Sequence, residues 1–365
     1  MEASAIRHSN HPVPFSRPAS SASHHPRQIG FIGLGNMGYF MARNLARSAH
    51  SRPPGSPPLV VWNRTEARAY KLRDELGENR VRVADSAEEL VRECEIVITN
   101  LPNDEAVKSV YGSFAAVLEE AGSSSGKIFV ETSTTYPTTA SDLEALLSAL
   151  PRAHASLVTC PVFGLPPVAD RAQLLVAVSG PYGARKEVAH LIVPAMARKV
   201  IDLGENPEKA PTSKLVANSM VMGMAEVMAE AFTMAEKTGI GAGTVYDLVK
   251  EVLPAPPMIM YGEKMLHDRF DGTKGFAIDG GIKDSSYIRN LAAQHGAPMA
   301  AIDVSHNHFL TARSVHAAAT RQGGTPWEVL DASAIVVGSR VGAGLDAFKG
   351  LSDTAMVLRE DQGAL

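Results

Sequence analysis

A glycine-rich turn near residue 33 constrains the fold more than any other feature of the chain. The apolar run Ile29–Ile32 leads directly into it, and residues 39–47 follow with a helical period. The turn reads Gly33, Leu34, Gly35, Asn36, Met37, Gly38. A strand, a Gly-x-Gly-x-x-Gly turn and a helix in this order form the fingerprint of a dinucleotide-binding unit. We therefore expect these six residues to contact a dinucleotide, with the helix N-terminus facing its pyrophosphate.

Short apolar runs alternate with longer helical segments through residues 28–204. The runs are Ile29–Ile32, Val60–Trp62, Val81–Val83, Ile96–Asn100, Ile128–Glu131, Leu157–Thr159, Leu174–Val178 and Val200–Leu203. This alternation predicts an α/β domain with a Rossmann-type, doubly wound parallel sheet. The last run is expected to close that domain.

The second half, residues 205–365, is predicted to be an all-helical domain. It opens with one long helix at about residues 212–238, for which Thr212 and Ser213 are candidate caps. Because this helix is apolar on most of its faces, we expect it to be buried between domains or between subunits. A homodimer is the predicted assembly.

Composition excludes several classes of partner. A net charge of −4 without a long basic block argues against nucleic acid, and no charge-free run approaches the length of a membrane span. Only two cysteines, Cys94 and Cys160, are present, so neither a disulfide framework nor a metal site is expected. A small-molecule substrate and a cytoplasmic location are predicted.

The first 27 residues are rich in Ser, Pro and His and are predicted to form a disordered arm. A mitochondrial location stays open as the alternative, because Arg7, Arg17 and Arg27 outnumber the single acidic residue Glu2.

The end of the second predicted strand indicates which dinucleotide binds. NAD-preferring sites carry an acidic residue there for the ribose 2′-hydroxyl, whereas this chain has Asn63, Arg64 and Thr65. Arg64 can pair with a 2′-phosphate, and the other two can donate hydrogen bonds to it. NADP(H) is therefore the predicted cofactor. The Pro- and Ser-rich residues 51–58 are interpreted as a loop insertion before this strand.

The segment Phe31–Gly38, with Met41 after it, resembles the opening signature of the β-hydroxyacid dehydrogenase family, within the superfamily that includes 6-phosphogluconate dehydrogenase. The resemblance extends from Ile29 to about Gly344. It implies that Leu101 and Pro102 lie against the cofactor. It further implies that Ser133 and Thr134, after the strand ending at Glu131, lie near substrate and nicotinamide respectively.

Lys214 and Asn218 are the candidate catalytic residues. They are four positions apart and so share one face of the long helix near its start. Burial of a lysine in an apolar helix is expected to lower its pKa toward neutrality, where it can exchange a proton with a carbinol oxygen. The resemblance implies that Lys214 is the general acid/base and that Asn218 orients the substrate. It also implies that Lys283 contacts the cofactor and that Asp284 orients it beside the substrate.

The substrate loop departs from the family, whose usual sequence is Asp-x-Pro-Val-Ser-Gly-Gly. Here residues 159–166 read Thr-Cys-Pro-Val-Phe-Gly-Leu-Pro. Phe163 and Gly164 are predicted to contact substrate, and the loss of Ser and of the second Gly removes donors for a carboxylate. The substrate is thus a hydroxy acid or another small alcohol or carbonyl compound.

Two other functions stay open at this point. Imine reductases share this architecture and the Asn-Arg-Thr cofactor signature but typically lack a lysine at the position of Lys214. Non-catalytic members of the superfamily keep the fold as a binding module and also lose that lysine. Its presence here favours a dehydrogenase acting on the CH–OH group.

Overall fold

The computed structural model describes residues 12–16, 27–121, 123–150 and 153–348. It divides into two compact units, Met1–Lys214 and Leu215–Leu365. Most of the predicted disordered arm, residues 1–11 and 17–26, lies outside the described residues. Residues 12–16 pack against the rest of the first unit, since the N–H of Val200 donates to the carbonyl of Pro12 at 2.9 Å and Phe15 packs on Tyr182.

The first unit contains nine strands among its described residues. They are β1 (Ile29–Ile32), β2 (Leu59–Trp62), β3 (Val81–Val83), β4 (Ile96–Thr99), β5 (Ser123–Glu131), β6 (Ala153–Thr159), β7 (Val162–Phe163), β8 (Leu174–Val178) and β9 (Ala197–Asp202). The first six form one parallel sheet in the order β3-β2-β1-β4-β5-β6. This order confirms the predicted doubly wound sheet.

Seven helices accompany these strands in the described part of the first unit. They are α1 (Gly38–Arg47), α2 (Glu66–Leu76), α3 (Ala87–Glu93), α4 (Asp104–Ala121), α5 (Pro137–Ser148), α6 (Pro166–Asp170) and α7 (Tyr182–Ile192). Apolar clusters cover both faces of the sheet, with Phe31 and Val130 in one cluster and Ile32 and Phe129 in the other. Burial on both faces explains why the strands are nearly continuous apolar runs in the sequence.

The last strands of this unit form a separate small sheet instead of extending the large one. Its order is β7-β8-β9, with β7 antiparallel to β8 and β9 parallel to it. Pro161 stands between β6 and β7 and has no N–H to continue a ladder, so the chain turns out of the large sheet at this point. The predicted single sheet therefore differs from the structure in its closing strands.

The second unit is helical, as predicted. Its helices are α8 (Lys209–Thr238, which begins in the first unit), α9 (Ala242–Val252), α10 (Pro256–Leu266), α11 (Ile278–Gln294), α12 (Ala300–Arg321), a 3₁₀ turn (Ala332–Ala334) and α13 (Ile335–Gly342). Helix α8 begins about one turn before the expected residue 212. Pro211 fits in its first turn, where no N–H partner is required. The expected caps are wrong, because Thr212 and Ser213 lie within the helix and their hydroxyls donate to the carbonyls of Glu208 and Ala210.

Helix α8 is long and apolar enough to cross a membrane by length and composition alone. Core helices of globular proteins meet the same criterion, and Leu215, Ala229 and Phe232 of α8 are fully buried within the protein. The expectation that no membrane is a partner therefore stays a prediction.

Candidate functional site

Two glycines of the turn after β1, Gly33 and Gly38, are required by close contacts within the fold. A Cβ at Gly33, where φ is +94°, would lie 2.1 Å from the carbonyl oxygen of Asn100. A Cβ at Gly38 would lie 1.9 Å from the carbonyl oxygen of Gly33. At Gly35, by contrast, a Cβ would meet nothing within 4 Å, so the backbone is open to a ligand. Asn36 and Met37 complete the turn and are half-buried.

Asn63 connects this turn to the end of β2. Its side-chain oxygen accepts the N–H of Leu34 at 2.8 Å, and its amide nitrogen donates to the carbonyl of Thr65 at 2.9 Å. Arg68, a residue that sequence reasoning missed, donates to the carbonyl of Leu34 at 3.1 Å. Asn63 and Arg68 therefore hold the glycine turn in place from the neighbouring strand end and the first turn of α2.

Arg64 and Thr65 lie at the same strand end and are exposed. Arg64 makes no ion pair or hydrogen bond with any residue that the structure describes, and Thr65 begins α2 without a side-chain capping bond. Both polar groups are thus accessible beside the glycine turn. The open backbone at Gly35 and these two side chains fit the pyrophosphate and ribose parts of a dinucleotide.

The loops after β4 and β5 are joined beside this turn. The Leu101 N–H donates to the Ser133 hydroxyl oxygen at 2.7 Å, and the Asn100 amide donates to the Thr132 hydroxyl at 3.1 Å. Pro102 continues the first loop, while Thr134 is half-buried in the second. Since Asn100 also contacts Gly33, the loop after β4 stands where the strand order reverses, between β1 and β4, with the loop after β5 beside it. Open α/β sheets bind ligands at this point.

A second set of hydrogen bonds, to Asp104, connects the same two loops. The carboxylate of Asp104, at the start of α4, accepts the Tyr136 N–H at 3.1 Å and the Thr139 hydroxyl at 2.9 Å. Ser133 is only 3 % exposed, and its hydroxyl oxygen accepts the N–H of Leu101 rather than facing solvent. The structure thus makes Ser133 part of the scaffold that presents the more exposed Thr134.

Glu131, the last residue of β5, is a functional candidate that sequence reasoning missed. It is 2 % exposed, and its carboxyl accepts the Thr99 hydroxyl and the Ser133 N–H, each at 2.6 Å. Burial raises the pKa of this carboxyl to about 7, against the lowering effect of the bonds from Ser133 and Thr99. A lone acidic residue ending an apolar buried strand was the signal available in the sequence.

Lys214 lies on α8 and is 9 % exposed. Its Nζ is 4.9 Å from the centroid of the Phe163 ring, a cation–π distance. Phe163 ends β7, and Gly164 after it has a φ of +141°, which an L side chain rarely adopts. The structure therefore brings together Lys214 and the substrate-loop residue Phe163, which are distant in the sequence.

The remaining predicted site residues meet in the second unit. The Asn218 amide donates to one oxygen of Asp284 at 2.8 Å, and the Lys283 amine lies 3.1 Å from the other oxygen. Asp284 is 2 % exposed, and the Lys283 amine also lies over the Tyr287 ring. Asp284 can thus orient the ammonium of Lys283, as the sequence suggested, and also the amide of Asn218, a pairing that the sequence did not suggest.

Two family models match the chain. Residues 28–204 match the model described as the NAD binding domain of 6-phosphogluconate dehydrogenase. Residues 209–324 match the model described as "NAD-binding of NADP-dependent 3-hydroxyisobutyrate dehydrogenase".

Several curated relatives are similar over most of their length. An uncharacterized oxidoreductase of Bacillus subtilis is 28 % identical over 286 residues, which cover 77 % of this chain and 92 % of the relative. An NADH-dependent oxidoreductase of Aspergillus ustus is 30 % identical over 275 residues, 75 % of this chain and 88 % of the relative. A probable 3-hydroxyisobutyrate dehydrogenase of Mycobacterium tuberculosis is 31 % identical over 223 residues, 60 % of this chain and 68 % of the relative.

Solved structures share the fold. The 3-hydroxyisobutyrate dehydrogenase of Salmonella typhimurium superposes with a TM-score of 0.68 at 21 % identity, covering 85 % of this chain and 99 % of that chain. An imine reductase of Pseudomonas sp. superposes with a TM-score of 0.52 at 17 % identity, covering 86 % and 99 %. Because identity is low, both likenesses concern the fold alone, and they confirm its class.

Proposed function

Because this chain belongs to the β-hydroxyacid dehydrogenase family of NAD(P)-binding oxidoreductases, we propose that it transfers hydride between NADP(H) and the C–OH carbon of a small alcohol or hydroxy acid. The observation that carries the proposal is the buried amine of Lys214, held against Phe163 of the substrate loop. A lysine in such a setting is suited to general acid/base work, because it can exchange its proton without bulk water.

In oxidation, the Lys214 amine removes the hydroxyl proton of the substrate, and in reduction it returns the proton to the carbonyl oxygen. The bound nicotinamide supplies the hydride acceptor or donor. Asn218 lies one turn later on the same helix, and its amide orients the substrate oxygen. Asp284 accepts a hydrogen bond from that amide at 2.8 Å and so holds its orientation.

The choice of NADP(H) over NAD(H) rests on the end of β2. No carboxylate stands among Asn63, Arg64 and Thr65, and the Arg64 guanidinium is exposed beside the glycine turn. A guanidinium can bind a 2′-phosphate with two hydrogen bonds, whereas a ribose hydroxyl gains little from it. The relative from Aspergillus ustus is named as NADH-dependent, which makes a direct comparison of the two cofactors the first measurement to make.

The substrate loop favours a substrate with an apolar part. Phe163 presents a ring beside the Lys214 amine, and Pro166 and Pro167 after it have no N–H to offer a carboxylate. We therefore propose uncharged carbonyl and alcohol compounds as candidate substrates in addition to hydroxy acids.

The deciding experiment compares Lys214→Ala with Lys209→Ala, which removes an exposed lysine from the first turn of the same helix. Substrates are first found by following cofactor oxidation or reduction against small alcohols, hydroxy acids, aldehydes, ketones and imines. Lys214→Ala should lower kcat by about 10²- to 10⁴-fold, the usual contribution of a general acid/base. NADPH binding, measured by fluorescence titration, should stay unchanged in both variants.

Retention of more than about a tenth of the wild-type rate by Lys214→Ala would contradict the assignment. If imines turned over and alcohols did not, imine reduction would replace the proposed reaction. If NADPH bound but no substrate of any class turned over, a non-catalytic binding role would replace it.

A further inference from the structure

The carboxyl of Glu131 is buried without a basic partner in the part of the chain that the structure describes. Its two oxygens instead accept hydrogen bonds from the Thr99 hydroxyl and the Ser133 N–H. Burial of a carboxylate costs free energy unless its oxygens accept hydrogen bonds. The hydrogen bonds around Glu131 therefore depend on whether its carboxyl is ionised. The proposed proton transfer by Lys214 does not involve this group.

A continuous set of contacts leads from Glu131 to the cofactor-binding turn. Glu131 holds the Ser133 backbone, the Ser133 hydroxyl accepts the Leu101 N–H at 2.7 Å, and the residue before Leu101 contacts Gly33. These loops follow the carboxyl ends of β5, β4 and β1, and the strand order reverses between β1 and β4. A change in the charge of Glu131 can therefore alter the position of the loop backbone at the dinucleotide site.

The network has two hydrogen-bonding arrangements. With Glu131 ionised, the Thr99 hydroxyl donates to it at 2.6 Å, and the Tyr111 hydroxyl can donate to Thr99 at 3.2 Å. With Glu131 protonated, the acid can donate to Thr99, whose hydroxyl can turn to the carbonyl of Val130 at 3.4 Å. The neutral acid accepts the Ser133 N–H more weakly than the carboxylate does.

Three other titratable groups face Glu131 from the elements around it. Tyr111 lies on α4, Cys160 follows β6, and Asp104 begins α4. Burial raises the pKa of both Tyr111 and Cys160, so these two stay neutral at neutral pH. Burial raises the pKa of Glu131 most, and the charge of Asp104 raises it further, so that it reaches about 7. Glu131 is therefore the group in this cluster that changes charge near neutral pH.

We propose that Glu131 is a positioning residue whose carboxylate form holds the loops around the dinucleotide, so that affinity for the cofactor increases as the pH rises through neutrality. This proposal requires only that the chain binds NAD(P). It does not require Lys214 chemistry, and binding measurements test it without turnover.

The test is NADPH titration by fluorescence from about pH 6 to about pH 8.5, which brackets the ionisation. The wild-type protein should bind about three- to tenfold more tightly at the upper end, the difference between charged and neutral acceptors. Glu131→Gln is the matched variant because its amide can accept from Ser133 and donate to Thr99, as the protonated acid does. It should bind weakly at every pH.

Glu120→Gln removes an exposed carboxylate from the same unit and serves as the control. It should keep the wild-type pH dependence, including any contribution from ionisation of the 2′-phosphate. A wild-type affinity that is independent of pH would overturn the proposal. So would a Glu131→Gln variant that keeps the wild-type midpoint.

Thr99→Val keeps the proposal testable if Glu131→Gln does not fold. It preserves side-chain volume but removes the hydroxyl that stabilises the carboxylate, so the pKa of Glu131 should rise. The midpoint of the pH dependence should shift upward, which a merely structural role would not produce. An unchanged midpoint in this variant would also overturn the proposal.

Discussion

The side-chain amine of Lys214 lies 4.9 Å from the centroid of the Phe163 ring. The ring occupies space beside the proposed general acid/base and offers no hydrogen-bond donor to a charged substrate. We expect Phe163→Ser to raise kcat/KM for a hydroxy acid relative to its methyl ester by about tenfold, since a donor and added space favour the carboxylate. Phe163→Leu keeps an apolar side chain without a donor and is the control. An unchanged ratio in Phe163→Ser would show that this residue does not select the substrate.

Arg64 should decide the choice of cofactor. The wild-type protein should bind NADPH at least about tenfold more tightly than NADH, about 1.4 kcal/mol from the bonds to the 2′-phosphate. Arg64→Asp should reverse the order, because a carboxylate repels the phosphate and accepts from the ribose hydroxyls. Arg80→Asp, an exposed charge reversal in the same unit, should change neither affinity. Equal affinities in the unmodified protein, by fluorescence titration, would contradict the prediction.

The pKa of Glu131 has a consequence for stability. It is raised to about 7 in the folded state, well above the value near 4.3 of an exposed glutamate. The folded state therefore binds the proton more tightly than the unfolded state does. The contribution of this group to the free energy of unfolding is fully present below the unfolded pKa and is lost as the pH rises through about 7. Between these values the loss is about 1.4 kcal/mol per pH unit.

The Glu131→Gln variant has no ionisable group at this position, so its stability should not fall in this way as the pH rises. The thermal unfolding midpoint of the variant relative to wild type should therefore rise as the pH increases from about 5 to about 8. Glu120→Gln should follow the wild type throughout. Parallel curves for Glu131→Gln and wild type would show that the carboxyl does not titrate in this range.

The exposed apolar face of α8 supports the proposed homodimer. Val216, Met220, Val227 and Met234 are 54 %, 73 %, 61 % and 64 % exposed, and their spacing of four and seven residues places them along one side of the helix. We expect Met220→Glu with Val227→Glu to give a monomer, because buried charges without partners oppose association. Light scattering at about micromolar concentration is the measurement, a range in which specific dimers persist. Lys237→Glu on the same helix is the control, and a wild-type monomer would contradict the prediction.

Local sequence was sufficient for the cofactor-binding turn and for most strands. Gly33, Gly35 and Gly38 lie within six residues of one another. Gly33 has a φ of +94°, which favours glycine, and a Cβ at Gly38 would meet the carbonyl oxygen of Gly33 in the same turn. The bounds of β1, β3 and β8 agree with the apolar runs, because strands buried on both faces leave an unambiguous signal. The helical second half was equally clear from its period.

Pairing between distant segments was decided only by the tertiary structure. The separate sheet of β7, β8 and β9 depends on where Pro161 interrupts the ladder and on an antiparallel partner, neither of which an apolar run encodes. The first turn of α8 was likewise hidden, because Pro211 is compatible with both a helix start and a loop.

The properties of the site residues also required the folded chain. Glu131 and Thr99 are 32 residues apart, and Asn218 and Asp284 are 66 apart, yet each pair shares a hydrogen bond. The sequence by itself determined which chemical groups the chain carries and the local frame for the dinucleotide. Only tertiary packing decided that the carboxyl of Glu131 is desolvated and that the amine of Lys214 meets an aromatic ring. Desolvation of a side chain and its contacts depend on which distant segments pack against it, and the residues near it in the sequence do not specify those segments.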